Sequence, residues 1–100
     1  MANMKEIALG VTSVLQHSST PEPLPVDLWG GSANEGAVLV RVVLAECHDA
    51  DIPLKVVRVP LDVWTELSSD SAISPRPRGV RIEEATELGT RIEFWRKLPA

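Results

Sequence analysis

The densest run of reactive side chains is Glu46-Cys47-His48-Asp49-Ala50-Asp51. A thiol nucleophile needs an imidazole within hydrogen-bond reach, which lowers its pKa and takes its proton. Neighbours on a helix point about 100° apart, so Cys47 and His48 diverge if this run is helical. His48 and Asp51, three residues apart, share a helix face but make only part of a metal's first shell. His17 is the one other histidine and Cys47 the one cysteine, so no second ligand segment exists and no disulfide framework can form. The run reads as a polar helix end with a solvated His48 and an inert, buried Cys47.

Other reactive types fare no better. The serines include no Gly-x-Ser-x-Gly elbow. Trp29-Gly30-Gly31-Ser32 would offer backbone N–H groups to an anion, but no Lys-Ser/Thr follows the glycines, so it is no Walker loop. Glu83 and Glu84 fall on opposite faces of a strand, and Asp49 and Asp51 sit in a turn without a third partner. We therefore expect no catalytic residues, no metal site and no cofactor. If a ligand binds at all, the expected pocket lies between helix and sheet, floored by Trp64 and edged by His48 or Cys47. That gives the alternative reading of a small-ligand-binding protein or minor enzyme.

Charge narrows the partners. The chain is 100 residues with a net charge of -4 and a pI near 5.1, which disfavours nucleic acid and anionic lipid. Residues 1–70 net -6 and residues 71–100 net +2. Pro75-Arg76-Pro77-Arg78-Gly79 is similar in composition to the Arg-Gly-Arg-Pro core of minor-groove AT-hooks, in a different order and a single copy. No apolar run reaches the roughly 20 residues that span a bilayer, and the first residues lack the apolar core of a secretory signal, so the expected location is cytoplasmic.

These side chains need a scaffold, and the length suits one domain over 1–100. Met4, Ile7, Ala8, Val11, Val14 and Leu15 recur at steps of three and four, which predicts a helix over 3–17 with Asn3 as cap. Residues 18–33 form an extended Pro- and Gly-containing connection pinned by Leu28 and Trp29. The valine-rich run predicts a helix over 34–50, too long for one strand and started by Ser32 or Asn34 with Glu35 behind it. A pair of strands is the competing reading of that run. Leu54-Lys55-Val56-Val57-Arg58-Val59-Pro60 reads as a strand, and 62–69 as a short helix capped by Asp62. Val80 and Ile82, then Ile92 and Phe94, alternate with charged residues on either side of Leu88-Gly89, predicting strands over 79–85 and 90–97. Charge favours pairing these two as a hairpin, Glu83 opposite Arg91 and Arg81 opposite Glu93. The expected fold is α+β, a sheet of about three strands packed on two main helices and a short one.

The helix at 34–50 is apolar almost all round, so a partner would have to cover part of it. This reading places Val40 and Val43 at an interface between copies, with Trp29 and with Trp95, which falls on a polar strand face. A free strand edge gives a second route to pairing. The function this supports is a non-enzymatic oligomeric interaction or accessory protein, most simply a homodimer, with an unidentified protein partner as a further option.

Overall fold

The computed structural model describes residues 4–17, 23–27, 32–68 and 80–97. The chain runs α1 (Met4–His17), β1 (Leu24–Asp27), α2 (Ala33–Asp49), β2 (Leu54–Val59), α3 (Leu61–Ser68), β3 (Arg81–Glu84), a 3-10 turn (Thr86–Leu88) and β4 (Arg91–Arg96). This is an α+β arrangement, with four strands in the sheet rather than three. The added strand is β1. Leu24 and Val26 alternate with Pro25 and Asp27, and the apolar pair faces Phe94 and Ile92 of β4. The prolines hide that alternation in the sequence, yet an edge strand tolerates a residue without an N–H.

Strand order is β1-β4-β2-β3. β4 runs antiparallel to both its neighbours, and β2 and β3 are parallel. The hairpin expected between 79–85 and 90–97 is therefore overturned, because β2 lies between them. β2 buries Leu54, Val56, Val57 and Val59, and a strand with that much apolar surface takes a central place. Arg58, carried in on β2, then becomes the cation that pairs with the acids of the flanking elements. It lies 2.5 Å from Glu87 and 3.5 Å from Glu93, while Arg81 pairs along its own strand with Glu83 at 3.1 Å. Gly89 has φ +65 at the end of the 3-10 turn, a conformation that costs a residue without a Cβ little.

The valine-rich run is a helix. Ser32 caps it by accepting a hydrogen bond from the Glu35 N–H at 3.2 Å. Its exit is a Schellman motif: the Ile52 N–H donates to the Cys47 carbonyl at 2.8 Å and that of Asp51 to the His48 carbonyl at 3.3 Å. Asp51 takes the left-handed position, φ 58, which Asp tolerates better than most residues. At α3 the Trp64 N–H donates to the Pro60 carbonyl at 2.9 Å. Asp62 thus sits within the first turn rather than at the cap.

The core is one layer between helices and sheet. Leu39, Val40, Val43 and Leu44 of α2 meet Val57, Val59, Ile92 and Phe94 of the sheet. Two crossovers in the same direction, β1-α2-β2 and β2-α3-β3, put α2 and α3 on one face when both are right-handed. α1 packs against α2 and β1, and α3 against α2 and β3. α2 is thus the middle helix, flanked on both sides and floored by the sheet.

Candidate functional site

Each side chain expected at a site has a definite place, and the structure does not gather them. Val40 and Val43 are completely buried within one chain, so a second copy finds no side-chain surface there. Most of the apolar girth of α2 is covered by α1, α3 and the sheet, with Val38 and Val42 left partly exposed, so Val40 and Val43 are core residues of one chain. Trp29 lies outside the described residues, as do Asn3, Leu28, Arg76 and Arg78.

The three residues expected around a ligand diverge. Cys47 is buried, on the side of α2 that faces Thr12 of α1. Burial pushes its thiol from 9.0 up to about 11, with its hydrogen bond to Thr12 and the positive charge of Arg96 pulling the other way. A thiol held neutral at pH 7 is a poor nucleophile. His48 is exposed and meets only the adjacent Asp49, at 3.4 Å. Trp64 sits on α3, across α2 from Cys47, and is 38% exposed instead of packed in the core. Among the described residues, no group of His, Cys, Asp and Glu is placed to hold a metal ion.

Trp95 stands on the sheet face away from the helices. There it lies opposite Val56, beside a row that crosses all four strands through Pro25, Glu93, Arg58 and Glu83. It is half-buried, and its indole Nε1 is buried without an acceptor among the described residues. The polar tip that a partner would bond is turned inward. Arg96, next along β4, points to the helix side. It donates through Nη1 to the carbonyls of Leu15 and, at 3.1 Å, Gln16. A cation on the last carbonyls of α1 satisfies orphan acceptors and complements the negative end of the helix.

A shallow concavity opens where the N-termini of α2 and α3 approach the β3–β4 turn, lined by Ser32, Ala33, Asp62, Val63 and Thr90 among others. The Ser32 hydroxyl is committed to its cap, and the Asp62 carboxylate opposes an anion. The concavity does orient α3, because Asp62 must lie on the flank that faces α2. Val63 and Leu67 face the sheet. At about 100° per residue, Leu61 and Trp64 then fall on the opposite flank, above the outer edge of β3.

That edge of the molecule is distinctive. Leu61 is 49% exposed and Trp64 38% exposed, and they share one flank at a spacing of three. The other exposed large apolar residues, Leu9 at 44% and Val14 at 53%, lie on α1. They are five residues apart and so about 140° apart around the helix, on different flanks. Below the Leu61–Trp64 flank runs β3, whose only strand partner among the described residues is β2. In sequence, Val63, Trp64 and Leu67 look like one apolar face of the short helix. Only Val63 and Leu67, four apart, belong to it.

No family model, no curated protein and no solved structure matches the chain. No helix among the described residues is long and apolar enough to cross a membrane.

Proposed function

We propose that this chain is a non-enzymatic interaction or accessory protein of the cytoplasm, and that its working form is a homo-oligomer, most simply a homodimer. The observation that carries the reading is the outer margin of β3 and α3. An apolar helix flank there lies beside β3, which has a strand partner on one side alone among the described residues. Exposed apolar pairs next to an open strand edge are surfaces that proteins use for association. The acidic balance of the chain, net -4, favours a protein partner over nucleic acid. The raised thiol of Cys47 and the divergence of Cys47, His48 and Trp64 weigh against a ligand pocket built from them.

Sedimentation velocity at tens of micromolar tests the reading. The expected result is a species heavier than one chain that dissociates on dilution. A single species of chain mass at every concentration would contradict it.

A further inference from the structure

We propose that two copies of this chain join by antiparallel pairing of β3 with β3 about a two-fold axis through Ile82, making one continuous eight-stranded sheet. The inference rests on the oligomeric reading above and specifies how the copies meet.

Three observations converge on it. The first is the edge itself. Among the described residues β3 ends the sheet on its side, so its four residues turn outward N–H and C=O groups towards another chain. The opposite edge is poorer, since Pro25 of β1 has no N–H to give.

The second is register. A two-fold axis perpendicular to the sheet keeps the helices of both copies on one face, so residues that face each other across the axis point to the same side. Centred on Ile82, the pairing sets Arg81 of each copy opposite Glu83 of the other and Ile82 opposite Ile82. Centred on Arg81 it opposes two arginines, and centred on Glu83 it opposes two glutamates. Opposite charges across a strand pair stabilise and like charges repel, so the segment Arg81-Ile82-Glu83 is complementary to itself in one register alone. Both ends are available: Arg81 and Glu83 side chains are 67% and 42% exposed.

The third is the helix above. α3 packs against α2 and β3, so it lies at the β3 margin on the helix side of the sheet, and the axis runs just outside that margin. Two-fold symmetry about the β3 edge then brings the two α3 helices side by side. The flanks that meet are those carrying Leu61 and Trp64. Trp64 is central in α3 (Leu61–Ser68), so the two tryptophans approach each other at the axis. The pairing thus covers the apolar flank and the strand edge with one operation, an isologous contact of the commonest symmetry.

Reversed charges give a test that separates this geometry from assembly in general. Arg81→Glu alone places four carboxylates at the axis, and Glu83→Arg alone places four guanidinium groups there. Each variant should dimerise at least about tenfold more weakly than wild type, while an equimolar mixture should recover a heterodimer, read by light scattering or native mass spectrometry. Circular dichroism checks that each variant is folded, and Trp64→Arg gives an independent disruption from a position 38% exposed. Dimers that survive both reversals and Trp64→Arg overturn the β3 pairing and leave the oligomeric reading standing. A wild-type monomer at tens of micromolar overturns both.

Discussion

The two margins of the sheet are built for different ends. At one, β1 carries Pro25 and lies beneath α1, whose C-terminal carbonyls are held by Arg96 of β4. Thr90 adds a bond across to Asp27, 3.1 Å. At the other, β3 begins with the charged, self-complementary triplet Arg81-Ile82-Glu83, and α3 turns Leu61 and Trp64 outward beside it. Both margins are sheet edges among the described residues. One carries a proline and lies beneath α1. The other, in the pairing proposed above, is completed by a second molecule. The lesson is that apolar content alone does not mark a contact surface. The longest helix, α2, buries most of its apolar side chains within its own chain, and the more open margin lies beside a short helix with two exposed apolar side chains.

Variants can break or sharpen this contrast. The largest effect belongs to Val40→Asp. An interface valine would tolerate a carboxylate in the monomer, but a completely buried one cannot. An unpaired charge there should cost about 3–5 kcal/mol, so urea denaturation should show a chain largely unfolded or far less stable, not a folded monomer. Next comes Arg96→Ala, which frees the Leu15 and Gln16 carbonyls. Losing charge-assisted bonds at a helix end predicts a loss of about 1–2 kcal/mol. Hydrogen exchange should place that loss in α1 and β1 and leave β3 as it was.

A gentler effect is expected from pH. Cys47 has a folded-state pKa raised from 9.0 to about 11. Its neutral thiol therefore adds stability that is fully present below pH 9 and is lost as pH climbs towards 11. The melting temperature should fall through that window, and Cys47→Ala should show a shallower fall despite a lower starting value from the lost packing.

The legibility of the fold follows the strength of each physical signal. Periods of three and four in α1, and the Ser32 cap with Glu35 behind it, made both long helices readable. Alternation located β2, β3 and β4 within a residue or two. Alternation does not name a strand's neighbour, however. The charges of Arg81, Glu83, Arg91 and Glu93 suit a local hairpin as well as they suit the observed partners, and only the burial of β2 at the centre decides between them. β1 went unread because Pro23 and Pro25 suppress strand signals that Leu24 and Val26 carry. At the candidate site, the inert thiol of Cys47 and the solvated His48 were legible from the lack of partners. Trp64 was not, because a helix of eight residues has too few turns for sequence to say which apolar residue leans outward.

Amide hydrogen exchange as a function of protein concentration addresses the contrast between the two margins most directly. If β3 pairs between copies, its outward amides within Arg81–Glu84 gain protection as concentration rises, while β1 amides exchange at the same rate throughout. Protection at β3 that ignores concentration, or a concentration effect confined to β1, would contradict the account.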